Sequence, residues 1–270
     1  MPRGVSRIDE ALLQRRLWTP AASRPRLWLD AADLSTITTV SGNVSEWRDK
    51  SGNANHAVPS SASLRPSLVL SDFQARPCIR FVRNDDLTTL NSIGIGGNQN
   101  RGMFVVSRRR SVTANAANEG LMAFWGTPSN NPTGGRGFGI DIQSTTQYWY
   151  YWYDDITSTS YAAADLIHIW GLTHTNGVGE AYATDNFVAN RNVTANTTDT
   201  PVQIGWRGGA GAQFGYQYSD VDIAEIVIVG ETVDRKTRYA INGYAAWKWG
   251  LVSSLPASHP FKNRPPVIGD

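Results

Sequence analysis

The sequence predicts an all-β fold, a sandwich or a barrel, with one short helix before the strands and one helix after them. Apolar and polar residues alternate with period two in many short runs between Leu27 and Val229. Gly, Asn and Pro separate these runs, and those residue types favour turns. Ten Trp and ten Tyr residues, together with many β-branched residues, favour strands over helices.

Composition excludes several protein classes. The chain has 270 residues, of which 41% are hydrophobic and 18% charged, so it can bury a sizeable core and is not a disordered chain. Its 25 basic and 23 acidic residues give a net charge of +2, without the strong basic stripe of a nucleic-acid binder. Cys78 is the one cysteine, so no internal disulfide can form, and we expect a small buried side chain there.

The first segment, residues 1–25, is predicted to be an arm with a short amphipathic helix at residues 6–17. Ser6 can cap that helix, acidic residues follow in its first turn and arginines stand near its end, an order that suits the helix dipole. Pro20 and Pro25 prevent the helix from continuing. The arm has no uninterrupted apolar run of the kind that a secretory signal requires, so we expect synthesis in a cytoplasm.

The second segment, residues 26–252, is predicted to be the β domain. Its predicted strands are residues 26–30, 44–48, 78–82, 102–107, 121–125, 137–142, 147–153, 166–173, 178–183, 202–206 and 222–229. A helix should follow, capped by Thr232 and ended by Gly250 in the left-handed conformation. Its apolar residues at helical spacing are Ala240, Ile241, Tyr244 and Trp247.

The third segment, residues 253–270, is predicted to be an extended tail lying across a surface. It contains four prolines, which exclude regular structure. No apolar run in the chain is long enough to span a membrane, so we expect no membrane insertion.

Several segments resemble one family. Residues 27–31 with 44–53, the run 76–87, and the closing strand and helix at 223–228 and 241–251 are similar to laminin-G-like, concanavalin A-like domains of bacterial and phage proteins. The resemblance covers residues 26–262, and the closing segment is its most specific part. It implies a two-sheet antiparallel jelly-roll sandwich, a fold that serves lectins, hydrolases and structural modules alike. Residues 15–20 also resemble the leaders of tailed-phage structural proteins.

One acidic run is similar to a glycosidase signature. Asp220, Asp222 and Glu225 approximate the E-x-D-x-x-E pattern of laminarinase-like enzymes, in which two carboxyl groups lie about 5 Å apart. Asp220 is one methylene shorter than the Glu expected of the nucleophile. We therefore favour a solvated strand end and predict a protein without catalytic residues.

Two polar clusters also have simple interpretations. Asp49, Ser51, Asn53 and Asn55 alternate like calcium ligands, but Ala54 stands where a calcium loop needs Gly, and no bidentate Glu follows. Asn and Asp close such turns on their own, so we predict no cofactor, with calcium as the alternative. The basic run 108–110 is expected in a solvated loop, with an acidic partner surface as the alternative.

An aromatic run at residues 148–153 is the best candidate binding site. In a strand, Tyr148, Tyr150 and Trp152 would share one face, and Trp149 would lie on the other with Tyr151 and Tyr153. One set must pack inside. The first set could form a protein interface, a platform for stacking sugars, or a surface that a loop covers, and we favour the protein interface.

These observations predict a non-enzymatic structural or adhesive surface protein, specifically a component of a phage particle. Its partners would be other virion proteins and further copies of itself. The first alternative is a carbohydrate-binding module that recognises host surface polysaccharide, and the second is a laminarinase-like glycoside hydrolase.

Overall fold

The computed structural model describes residues 16–82, 84–110, 122–126, 137–143, 146–150, 154–161, 165–207, 217–218 and 220–270. Nearly all regular structure in these ranges is β, which confirms the all-β class. The strands are β1 (Leu27–Asp30), β2 (Ile37–Val40), β3 (Asn43–Trp47), β4 (Ala57–Val58), β5 (Ser67–Phe73), β6 (Arg76–Val82), β7 (Leu87–Ser92), β8 (Arg101–Arg109), β9 (Ala123–Gly126), β10 (Gly137–Gln143), β11 (Thr146–Tyr150), β12 (Ile156–Ser158), β13 (Ile167–Thr175), β14 (Val178–Ala183), β15 (Asn186–Asn192), β16 (Pro201–Ile204), β17 (Trp206–Arg207), β18 (Gln217–Tyr218) and β19 (Asp220–Val229).

The first strand series is built around β19. This strand is rich in Val and Ile and is buried along almost its whole length, as expected for a strand covered on both faces. One edge of β19 pairs with β1 and β6, and the other pairs with β8. From β8 the series continues through β13 and β14 to β15, while β5 pairs with β6, all antiparallel.

The second strand series runs in the order β2, β3, β4, β7, β16, β9, β10, β11, β12, again with antiparallel pairs throughout. One pair, Asn43 in β3 with Ser67 in β5, joins the two series. The hydrogen bonds therefore form one seventeen-stranded network rather than two separate sheets. The all-β class is confirmed, and the two-sheet jelly-roll arrangement stays a prediction.

The main hydrophobic core receives side chains from both series. Leu29 and Ile226 of the first series and Ile140 of the second belong to one buried cluster. The rings of Trp149 in β11 and Trp170 in β13 meet edge to face, with centroids 6.0 Å apart. Burying each such side chain contributes about 1.5–3 kcal/mol, so this core holds the two series together.

Helix α1 (Arg235–Trp249) packs on the first series, on the face away from the main core. Its N-cap is Asp234, whose carboxylate accepts a 2.7 Å hydrogen bond from the Thr237 N–H, so the prediction of Thr232 was wrong by two residues. The Thr232 hydroxyl instead accepts a hydrogen bond from Asn100. Gly250 ends the helix at φ 74°, which confirms the predicted left-handed cap.

The buried side of α1 carries Ile241, Ala245 and Trp249, which contact residues of the first series. Trp247 was expected on this side, but it is 39% exposed, and its indole N–H donates to the Phe261 carbonyl of the tail. A Trp at the margin of a helix can bury its ring edge and still satisfy its N–H in this way. Among the described residues, no helix has the length and apolar character needed to cross a membrane.

The ends of the described chain pair with each other beside α1. Leu17 forms a bridge with Val267, and the Trp18 N–H donates to the Pro266 carbonyl at 3.0 Å. The Lys262 ammonium donates to three carbonyl groups just beyond the helix, which fastens the tail there. Arm residues 1–15, with most of the predicted helix at 6–17, lie outside the described residues, and that helix stays a prediction.

Candidate functional site

The Glu225 carboxylate sits at the centre of a buried polar network under α1. It is 1% exposed. One oxygen accepts hydrogen bonds from the Trp28 indole at 2.8 Å and the Tyr244 hydroxyl at 2.9 Å, and the other accepts from the Trp249 indole at 2.6 Å. The Lys248 ammonium lies 3.1 Å away. Burial, followed by the charge of Glu225, raises the pKa of Tyr244, so its hydroxyl stays a donor.

The same network reaches the first strand through Asp30. Its carboxylate accepts hydrogen bonds from Lys248 at 2.5 Å and from Lys50 at 2.8 Å. These residues belong to the segments on which the family resemblance depends. The structure thus gives these segments a structural role, because the polar network around Asp30 and Glu225 connects α1 to β1 and β19.

Asp222 is likewise enclosed by partners. It is fully buried and accepts hydrogen bonds from Arg80 at 2.8 Å and from Arg108 at 2.5 Å, while both arginines also contact Asp72. The run was expected at a solvated strand end, and that prediction was wrong, because Asp222 and Glu225 are both buried and hydrogen-bonded. The structure therefore exposes neither of these two carboxylates to a substrate. The third carboxylate, Asp220, lies 3.6 Å from Arg110.

The basic run was expected in a solvated loop, and that prediction was wrong. Arg108 and Arg109 belong to β8, and Arg109 is 1% exposed. Charge repulsion favours a solvated site for such a run, but for Arg108 the buried Asp222 in the neighbouring strand reverses that preference. Cys78, nearby in β6, is fully buried as expected, and burial raises its pKa to about 12, which makes it an inert thiol.

The loop that resembles a calcium site is closed by its own hydrogen bonds. One oxygen of Asp49 accepts from the Trp28 and Ser51 N–H groups, and the other accepts from the Ser51 hydroxyl and the Asn55 N–H. The Asn53 amide donates to the Pro25 carbonyl. The described residues contain no group of three His, Cys, Asp or Glu placed to hold a metal ion. This geometry is that of an Asx turn that anchors β1.

The second strand series presents a continuous row of paired positions on its face away from the core. In β4 to β11, the residues next to the row belong to the core, so the alternation of strands turns the row outward. Each row residue lies directly opposite the next in the ladder. We call this surface the row face, and its positions are Val58, Thr88, Gln203, Phe124, Gly139 and Tyr150.

The row face combines fully buried positions with half-buried polar positions. Phe124 is fully buried against Gly139, where an added Cβ would come within 2.7 Å of the phenyl ring. Asp141, two residues along β10, is fully buried too, while Thr88 and Gln203 are partly exposed. With strands about 4.8 Å apart, six strands give the row a length of about 24 Å.

The predicted aromatic site falls on this surface. Tyr150 is in the row, opposite Gly139, and Tyr148 lies beside it, opposite Asp141. Trp149 between them is fully buried, so the alternate set of the aromatic run packs inside at this point. Trp152 lies outside the described residues. The identity of Tyr148, Tyr150 and Trp152 as a binding surface stays a prediction.

Sequence reasoning missed Thr88, Gln203, Phe124 and Asp141. A signal was present for Asp141, because alternation in β10 places it with two glycines on the face opposite Phe138, Ile140 and Ile142. No signal identified Thr88 and Gln203 as neighbours, since β7 and β16 are distant in the sequence.

Comparisons with known proteins identify a fold. No protein-family model matches the sequence, and no curated protein matches it significantly. Among solved structures, the binding domain of botulinum neurotoxin serotype D has a TM-score of 0.53 and 10% identity, covering 82% of this chain and 51% of that one. Domain 4 of AbnA, an extracellular GH43 arabinanase from Geobacillus stearothermophilus in complex with arabinotriose, has a TM-score of 0.52 and 9% identity, covering 79% and 95%.

A third similar structure is an arabinofuranosidase complexed with arabinofuranosyl-α-1,2-xylobiose, with a TM-score of 0.50 and 10% identity, covering 74% of this chain and 50% of that one. This chain spans about half the length of the neurotoxin domain and of the arabinofuranosidase. At such identities the likeness shows an all-β fold that binding domains and enzymes share.

Proposed function

We propose that this protein is a non-catalytic carbohydrate-binding module and that it recognises a glycan on the row face. The observation that carries the proposal is the unbroken row of paired outward positions across six strands. Its length of about 24 Å would accommodate an oligosaccharide rather than a single sugar. We further propose that the two strand series are the two layers of a jelly roll.

The chemistry of the row face suits sugars. The Thr88 hydroxyl and the Gln203 amide are polar groups of the kind that bind sugar hydroxyls, and both residues are partly exposed. The strand positions 148 and 150 hold tyrosines, a residue type that packs on the apolar face of sugars. The fold of a domain solved with arabinotriose supports the proposal as an analogy.

The opposite side of the molecule is occupied by the chain itself. The outer face of the first series packs against Ile241, Ala245 and Trp249 of α1. The tail then covers the helix, since Phe261 packs directly against Gly243. A ligand that binds a strand surface is therefore directed to the row face, where Val58, Thr88 and Gln203 are partly exposed.

Affinity electrophoresis against a panel of polysaccharides, followed by glycan arrays, tests the proposal. We expect retardation by at least one polysaccharide, at least a tenfold weaker affinity in Gln203→Ala and Tyr150→Ala, and no hydrolysis. Phe187→Ala is the matched control, because it removes an aromatic ring that is 56% exposed on β15 of the other series. Binding that is insensitive to both row variants, or turnover of the polysaccharide, would contradict the proposal.

A second candidate is a docking module on a larger particle, and one observation favours it. A groove of about 360 Å³ between the arm, α1 and the tail is lined mainly by apolar side chains, among them Trp18, Trp247 and Pro265. Such a surface suits a protein partner. A location on a virion, virion proteins as partners and self-association are proposals that belong to this second candidate function. Light scattering of the purified protein, with and without Trp247→Ser, would detect self-association through the groove.

A further inference from the structure

A second cavity lies between the first turns of α1 and the C-terminal tail, on the side of the first strand series. Its volume is about 450 Å³, within the usual range for small-molecule sites. The helix contributes Arg235, Lys236 and Tyr239, and the tail contributes Pro260, Phe261, Arg264 and one acidic residue, Asp270. Neither the carbohydrate proposal nor the buried networks use these residues.

The cavity carries surplus positive charge. Arg264 is paired, because it donates to both carboxylate oxygens of Asp270 at 2.7 and 2.9 Å, and this hydrogen bonding raises its pKa. Asp234 is committed to its hydrogen bond with Thr237 at the helix cap. The side chains of Arg235 and Lys236 are exposed and form no ion pair within 4 Å with the part of the chain that the structure describes. The Thr237 hydrogen bond and, to a lesser degree, the charge of Lys236 nevertheless lower the pKa of the neighbouring Asp234.

These two cations also stand where a helix least favours them. Arg235 and Lys236 are the first two residues of α1, and its first turn contains no acidic residue. The helix dipole is positive at this end, so it repels the two side chains. The N-cap carboxylate of Asp234 offsets this repulsion in part, since the charge of Lys236, after the hydrogen bond from Thr237, helps to lower the pKa of Asp234, but one carboxylate does not balance two cations. A bound anion would supply the remaining compensation.

The apolar walls of the cavity indicate which kind of molecule would carry the anionic group. The rings of Tyr239 and Phe261 line the cavity with Pro260, and the Arg264 guanidinium lies 5.3 Å from the Phe261 ring centroid. Flat apolar walls favour a ring. We propose that the cavity binds a carboxylate carried on a ring, with the carboxylate held by Arg235 and Lys236 and the ring against Tyr239 and Phe261.

Ligand-observed NMR with D-glucuronate and benzoate tests this, with D-glucose and benzamide as their neutral counterparts. We expect saturable binding of at least one carboxylate, weak or absent binding of the neutral compounds, and weaker binding as salt increases. Arg235→Gln and Lys236→Gln should each weaken binding tenfold or more. Arg48→Gln, an exposed arginine elsewhere, should not. Binding of glucuronate alone would identify an acidic sugar, and binding of benzoate alone an aromatic acid.

Both variants should fold, because each removes a repulsion between an exposed side chain and the helix dipole, and the melting temperature of Arg235→Gln should equal or exceed that of the parent. Failure of both carboxylates to bind the parent protein, or affinity unchanged in both variants, would overturn the proposal. The cavity and the row face belong to different strand series, so a negative result here would leave the carbohydrate proposal standing.

Discussion

Replacing Glu225 by Gln should destabilise the fold strongly. Gln has a single side-chain oxygen acceptor, whereas Glu225 accepts from Trp28, Tyr244 and Trp249 through both of its oxygens. The amide NH₂ would face an indole N–H, and one buried donor would lose its acceptor at a cost of about 1–3 kcal/mol. Lys248 would also lose one of its two carboxylates, so we expect a total loss of about 3–5 kcal/mol.

Urea unfolding followed by tryptophan fluorescence measures this loss, because two of the indoles contact the carboxylate directly. Glu46→Gln is the matched control. Glu46 makes an exposed contact of 3.8 Å with Arg48, so its replacement should change the free energy of unfolding by less than about 0.5 kcal/mol. If Glu225→Gln were as stable as the parent, the structural role assigned to this network would be refuted.

Two further predictions concern pH and the tail. Burial lowers the pKa values of His168, His174 and His259 to about 4, so the unfolded chain binds protons first, and stability should fall as the pH is lowered from 6.5 to 4. Asp185, whose pKa burial raises to about 6, acts in the opposite sense below pH 6 and offsets part of this loss of stability. A flat stability profile in thermal melts between pH 6.5 and pH 4 would contradict the prediction. Gly243→Ala should lower stability by about 1–3 kcal/mol, because its Cβ would approach Phe261 to 2.7 Å, and a raised melting temperature would contradict this packing.

The sequence predicted those strands whose burial produces a regular pattern. β19 is rich in Val and Ile and lies between neighbours on both sides, so local residues indicated it. β5 and β15 were missed because they are partly exposed and their apolar residues do not alternate regularly. β15 follows a turn at Thr184 and Asp185, both with positive φ, where Asn-Gly is the usual signal. Pairing with β6 and β14 places these strands, and pairing is not a local property.

The sequence could not decide between a catalytic and a structural role for the acidic run. The spacing of Asp222 and Glu225 is the same under both interpretations. What decides is the set of partners, and one of the two indoles that donate to Glu225, that of Trp28, comes from 197 residues away. Arg80 reaches Asp222 from 142 residues away. Because of these long-range partners, a run that resembles an active-site motif is a buried set of structural contacts.

The row face shows the complementary case, in which a surface has no sequence motif at all. Thr88, Gln203 and Phe124 are direct neighbours across three strands, but none follows another within 30 residues of the chain. Alternation can tell which residues of one strand face outward, but only the order of strands can align them into a row. A sequence motif that also occurs in unrelated folds is therefore weak evidence for a functional site. Single substitutions at Gln203, in the middle of the row, are the more discriminating test, because a ligand that follows the row must cross it.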